Sequence, residues 1–169
     1  MDLRGKSTIR GLRNNNPGNI IKSNSPWKGK VPHSLNTDSR FEQFEQVEYG
    51  LRALMRNART LVQRGHNTIS KLVTKWAPPV ENDTQKYINF VCKSMGVSPT
   101  QKITLNKDFY IQFAKFVTWK ECGKDALKII PDSAFEEAYR ILDDGSLFKK
   151  MGMLLLFGGI FFGIYFFNR

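Results

Sequence analysis

Apolar residues recur at helical spacing through most of the chain. Between Gly50 and Arg64, the residues Leu51, Leu54, Met55, Ala58, Leu61 and Val62 share one face, which predicts an amphipathic helix closed by Gly65. Asn67 or Thr68 then caps a second helix reaching about Trp76, and Pro78-Pro79 breaks it. Asn82-Asp83-Thr84 opens a third, about 84–95, ended by Gly96. A fourth runs from about Lys107 to Cys122 with Phe109, Phe113, Phe116 and Val117 inward, and Asp132-Ser133 starts a fifth, about 133–143. The front of the chain has no such period. Asn14-Asn15-Asn16-Pro17-Gly18-Asn19 is a dense turn signal, and only Ile20-Ile21 and the stretch from Phe41 to Phe44 are β-prone. The class is mostly α with a small β element (α+β).

The last stretch differs in kind. Met151 to Phe167 holds no charged residue, and at 1.5 Å per residue it extends about 26 Å, enough for a thin bilayer. Lys149 and Lys150 before it and Arg169 after it supply interfacial anchors, and Gly159 and Gly163 form a Gly-x-x-x-Gly pair. The pattern predicts a basic domain over 1–148 and a single C-terminal transmembrane helix over 149–169. Met1-Asp2-Leu3-Arg4-Gly5-Lys6 is polar and shows no secretory leader, so the expected orientation leaves the domain on the cytosolic side.

Net charge is +11, which favours a polyanionic partner; nucleic acid, anionic lipid and the carboxylates of peptidoglycan all qualify. Metal chemistry finds little footing. His33 and His66 are isolated, and Cys92 and Cys122 match no metal or redox spacing and read as reduced, partly buried thiols. No cofactor is expected.

Three blocks narrow the choice. Arg10-Gly11-Leu12-Arg13-Asn14-Asn15-Asn16-Pro17-Gly18-Asn19-Ile20 is followed by Trp27-Lys28-Gly29. Next come Phe41-Glu42-Gln43-Phe44 and Glu48-Tyr49-Gly50-Leu51-Arg52-Ala53, then Trp76-Ala77-Pro78-Pro79-Val80-Glu81-Asn82-Asp83-Thr84-Gln85-Lys86-Tyr87. Over residues 10–125 the chain resembles the bacteriophage virion proteins labelled structural protein or lytic enzyme, whose fold is that of lytic transglycosylases and lysozymes. The resemblance implies a peptidoglycan-cleaving domain. That family usually carries a late Glu-Asn-Gly, and here the place is taken by Glu121-Cys122-Gly123, with the Asn replaced.

Glycosidic cleavage needs a protonated carboxyl beside the bridging oxygen. Glu121 fits best, in the last turn of an aromatic-rich helix near Trp119, where the helix dipole disfavours ionisation. Glu48, at a helix start, and Glu81, between the Pro-Pro break and a cap, are further catalytic candidates, and Asp38 is a weaker second carboxylate. Each has a plain structural alternative: an exposed final-turn side chain, a partner for the helix dipole, a loop tie or a turn residue. Trp27, Tyr49, Trp76 and Tyr87 are candidate sugar platforms or ordinary core, and Asn14, Asn15 and Asn19 are candidate ligands for N-acetyl groups or simply a turn.

The combined expectation is a lytic transglycosylase in the membrane of a membrane-containing virion, acting during entry and inserted in the host inner membrane before assembly. Peptidoglycan and the membrane are its expected partners, with capsid proteins as a third and nucleic acid less favoured. Two rivals stand beside it: a non-catalytic minor virion protein linking membrane to capsid or genome, and a cell-wall endopeptidase.

Overall fold

A computed structural model describes residues 1–80 and 83–142. The described residues form α1 (Arg10–Arg13), α2 (Val47–Gln63), α3 (Ile69–Trp76), α4 (Thr84–Met95), α5 (Lys107–Cys122), α6 (Ala126–Ile129) and α7 (Asp132–Arg140). The caps follow side-chain chemistry. Thr68 accepts from the amide of Lys71 at α3, Asp83 from Lys86 at α4, and Asn106 from Phe109 at α5. Helix α2 begins three residues ahead of the expected Gly50, because Val47 is apolar and wholly buried and carries the face one turn further. The single turn α6 went unpredicted, being too short to show a period.

Helix α2 lies at the centre, packed on α3, α5 and α7, while α4 packs on α3 and α5. Leu51, Leu54 and Met55 of α2 meet Leu72 of α3, Phe113 and Val117 of α5 and Phe135 of α7 in one cluster that excludes water. Each such side chain contributes about 1.5–3 kcal/mol by burial. Trp76 stands edge-on to Phe113, with ring centroids 5.6 Å apart. A second, smaller cluster joins Ile20, Phe44 and Ala53 to the half-buried rings of Trp27, Tyr49 and Trp76.

The expected fold class needs correction in two respects. First, the β element does not form a strand: among the described residues there are only isolated antiparallel bridges, including Ile21 to Phe41 and Lys30 to Phe44. The reason lies in the asparagine run. Lys22 donates to Arg40 O and Glu42 to Ile20 O, but the ladder goes no further. Asn16 Nδ2 donates to the carbonyls of Glu42 and Ile20, its Oδ1 accepts from the Ile20 amide, and Asn14 O accepts from the Phe44 amide. Side chains thus take the places a neighbouring strand would fill.

Second, no helix among the described residues is long and apolar enough to cross a membrane. The expected span Met151–Phe167, and with it the whole 149–169 segment, lies outside the described residues. The fold is therefore stated without a membrane helix. The single-pass placement in a virion membrane, or in the host inner membrane before assembly, falls with it.

One close approach locks the front of the chain to α2. A Cβ on Gly50 would lie 1.9 Å from the carbonyl oxygen of Asn15, so only glycine lets the helix sit on the asparagine loop. Replacing Asn16 by Ala removes its three hydrogen bonds and leaves buried backbone groups without partners. Urea unfolding of Asn16→Ala is expected to show a loss of about 2–4 kcal/mol.

Candidate active site

The asparagine loop does two jobs. Asn14, Asn15 and Asn16 are buried and wholly committed to structure. Asn14 Nδ2 donates to Asp38 Oδ2 at 2.8 Å, and its Oδ1 accepts from Gln43 Nε2 at 2.9 Å. Asn15 Nδ2 donates to Asp2 Oδ1 and to Phe44 O, and its Oδ1 accepts from the Leu3 amide. Asn19 differs. Like Asn15 (φ 50°) it adopts the left-handed conformation (φ 47°), which Asn tolerates, but its side chain reaches the end of α5. There Nδ2 donates to Glu121 Oε2 at 2.9 Å, across 102 residues of sequence.

Glu121 is exposed, not half-buried as its expected role calls for. Its surroundings are nonetheless specific. Cys122, the next residue, turns inward: its thiol lies 3.7 Å from Pro17 O, and a Cβ on Gly11 would meet the sulfur at 2.4 Å. Burial, and then the nearby charge of Glu121, push the Cys122 thiol up to about 12. The replaced Asn of the Glu-Asn-Gly pattern therefore falls on a buried packing position beneath the loop. Tyr87 is buried on the other side, its hydroxyl has no hydrogen-bond partner, and burial followed by the charge of Glu121 raises its pKa well above the usual phenol value.

Two clefts meet these groups. One, of about 390 Å³, is bounded by Gly18, Asn19, Trp27, Asn57, Lys75 and Trp76 among others. The other, about 350 Å³, is lined by Lys86, Tyr87, Phe90, Trp119 and Lys120. Asn19 therefore links Glu121 to the cleft that holds Trp27 and Trp76, while Tyr87 lies in the wall of the second, beside Trp119. Asn19 Oδ1 and Trp27 Nε1 are buried without a hydrogen-bond partner, the former facing Gly11 on the packed side of the loop.

The loop bearing Trp27 is held by a carboxylate that sequence reasoning passed over. Glu42 is wholly buried; it accepts from the Ser23 amide at 2.9 Å, meets His33 Nε2 at 3.1 Å and lies 3.6 Å from Lys30 Nζ. Asn57 and Lys75 were missed too. The one trace of Asn57 in the sequence is a polar residue at the border of the apolar face of α2.

The other expected catalytic residues lie elsewhere or serve the fold. Glu48 receives the amino group of Met1, at 2.6 Å to one oxygen and 2.8 Å to the other. Asp38 is buried and bound by Arg10 through two hydrogen bonds of 2.7 Å, and it also accepts from the amides of Arg40 and Phe41. Glu81 lies outside the described residues. Tyr49 packs over the backbone at Gly29, where a Cβ would lie 2.1 Å from its ring, so it supports the small cluster and is absent from the cleft wall. Among the described residues no three His, Cys, Asp or Glu side chains gather closely enough to hold a metal ion.

With this geometry in view, comparison with known proteins gives one finding of weight. The chain is 43% identical over 105 residues to Protein P5 of Pseudoalteromonas phage PM2. The match covers 60% of this chain and 63% of that protein, so it spans less than two thirds of the relative's length. No family model matches the chain. The chain is thus similar to a bacteriophage protein.

Asp38 yields a pH prediction. The Arg10 guanidinium holds its carboxyl well below the usual range; burial opposes this, and the Phe41 amide, the Asn14 side chain and the Arg40 amide reinforce it. A carboxyl lowered in the folded state stabilises the fold fully above its unfolded value of about 3.9, and the contribution fades as pH falls toward the folded value. Urea unfolding should therefore show stability dropping below about pH 4. Asp38→Asn should be less stable at neutral pH and show a shallower acid drop.

Proposed function

We propose that this chain is a virion-associated phage enzyme that cleaves the glycan strand of peptidoglycan by transglycosylation, with Glu121 as its acid and then its base. The observation that carries the reading is the hydrogen bond from Asn19 to Glu121 beside the tryptophan cleft. It holds a carboxylate that, among the described residues, is not bound to a cation of the scaffold.

The chemistry follows from having one such carboxylate among the described residues. Protonated Glu121 gives its proton to the bridging oxygen, the bond from that oxygen to the anomeric carbon breaks, and the leaving sugar departs as an alcohol. The Glu121 carboxylate then takes the proton of the sugar's own 6-hydroxyl as that oxygen bonds the anomeric carbon, closing a 1,6-anhydro ring. No water is consumed. Hydrolysis by the usual route needs a second carboxylate on the opposite face, and Asp38 and Glu48 are both tied to cations. Trp27 and Trp76 offer apolar faces for sugar rings. The similarity to a phage protein supports the setting.

The endopeptidase rival finds less support. A thiol nucleophile needs a low pKa, and Cys122 is buried and raised. The non-catalytic reading draws on one specific observation, the exposure of Glu121, since an acid needs shelter from water to stay protonated at neutral pH.

Incubating the full chain with purified peptidoglycan and reading products by mass spectrometry separates the two. The expected result is 1,6-anhydro ends that disappear in Glu121→Gln and fall about 10–100-fold in rate in Asn19→Ala, which frees the acid from its orienting amide. A folded wild-type chain that releases nothing would leave the non-catalytic reading in place.

A further inference from the structure

The positive charge is not spread evenly over the described surface. From Tyr49 to Val80 there is no Asp or Glu at all, against Arg52, Arg56, Arg59, Arg64, Lys71 and Lys75. Arg52 is withdrawn from the surface: it is buried, and its Nε donates to Ile141 O at 2.8 Å. Arg56 lies on the exposed side of α2 and the exposed Arg64 caps its C-terminus, about 12 Å further along the axis. Lys71 and Lys75 lie on the exposed side of α3. Among the described residues, none of these four side chains has a carboxylate partner.

The opposite flank is built differently. There Lys107 pairs with Glu136 at 2.6 Å, Lys115 with Asp132 at 2.8 Å and Lys128 with Asp125 at 2.7 Å. Cations with internal partners contribute little to an outside potential, whereas an acid-free group of four raises it over one face. Among the described residues, α2 beyond Glu48, α3 and the turn between them thus carry a group of cations with no acid among them.

This face also runs into the tryptophan cleft. Lys75 belongs to both, and Asn57 and Leu61 of α2 form the cleft wall next to Arg56 and Arg64. A glycan lying against Trp27 and Trp76 would carry whatever projects from it across the α2–α3 face. We infer that this face binds the carboxylate-bearing stem peptides of peptidoglycan, holding the substrate by its side branches while the cleft holds the sugars. The inference rests on peptidoglycan being the substrate and adds a second contact surface to it. Long-range charge attraction speeds encounter, and exposed contacts of this kind weaken with salt. Nucleic acid would be drawn by the same charge; continuity with the cleft favours the peptide carboxylates, and the test includes both.

The experiment uses the full chain carrying Glu121→Gln, so that no probe is consumed. Two triple variants are made on it: Arg56→Gln, Arg64→Gln, Lys71→Gln on the face, none of which lines the cleft, and Lys107→Gln, Lys115→Gln, Lys128→Gln on the flank. Both lose the same formal charge, and thermal melts check that both fold. Binding is measured with intact sacculi, with sacculi stripped of stem peptides, and with duplex DNA, across a salt series. The face variant is expected to lose about tenfold in affinity for intact sacculi at low salt, and the flank variant less than about twofold. On stripped glycan the face variant should match its parent. Equal losses in both variants, or an equal loss on stripped glycan, would overturn the inference. So would a face-specific loss confined to DNA, which would assign the surface to nucleic acid. Cleavage by the wild-type chain is scored separately: face-specific binding without cleavage would sink the enzymatic reading alone, and cleavage without face-specific binding would sink this inference alone.

Discussion

The buried asparagine run is the constraint on which the rest of the molecule depends. Residues 14–46 contain almost no regular structure, yet much of their backbone is shielded from water, and each shielded amide and carbonyl needs a partner. Asn14, Asn15 and Asn16 supply those partners from the inside, reaching Asp38, Gln43, Phe44, Ile20, Glu42 and the N-terminal residues. Gly50 then lets α2 close over the loop, because any side chain there would collide with Asn15. Pairing through side chains also explains why the β-prone pieces stop at isolated bridges.

The same loop meets the proposed acid at its far end. Once three asparagines are spent on structure, the turn through Pro17 and Gly18 presents Asn19 to the end of α5, where its amide meets Glu121. Cys122 underlies this meeting, packed against Gly11 and the Pro17 carbonyl. The loop and the end of α5 are thus joined twice, by a polar contact at the surface and by close packing below. Trp27 is brought to the same cleft by Glu42, whose buried carboxylate gathers Ser23, Lys30 and His33 around the preceding turn. Two buried carboxylates, Asp38 and Glu42, serve the scaffold, whereas Glu121 stays exposed at the end of α5.

Charge follows a comparable division. Arg10 and Lys30 are bound to those scaffold carboxylates, Lys107 and Lys115 of α5 pair with Glu136 and Asp132 of α7, and Lys128 of α6 pairs with Asp125. What remains unpaired on α2 and α3 sits beside the tryptophan cleft. A high net charge by itself speaks only of attraction; its placement gives that attraction a direction.

The five longer helices were legible in the sequence because local rules suffice for them: the inward face of α2, the Thr68 cap of α3, the Asp83 opening of α4 and the aromatic period of α5 are all written within a few residues. Glu121 at the end of α5 could be singled out for the same reason. Its pairing with Asn19 could not be read, since only the folded chain brings residues 102 apart into contact, nor could the different fates of Asn14 and Asn19, which share one turn signal. Likewise, local pattern left Glu48 and Asp38 open to a catalytic role until tertiary contacts gave them to the Met1 amino group and to Arg10. Sequence determined which segments would coil and which side chains had the chemistry. Tertiary structure decided which of those side chains would be used up satisfying buried backbone and charge, because that demand arises only when distant parts of the chain exclude water from one another.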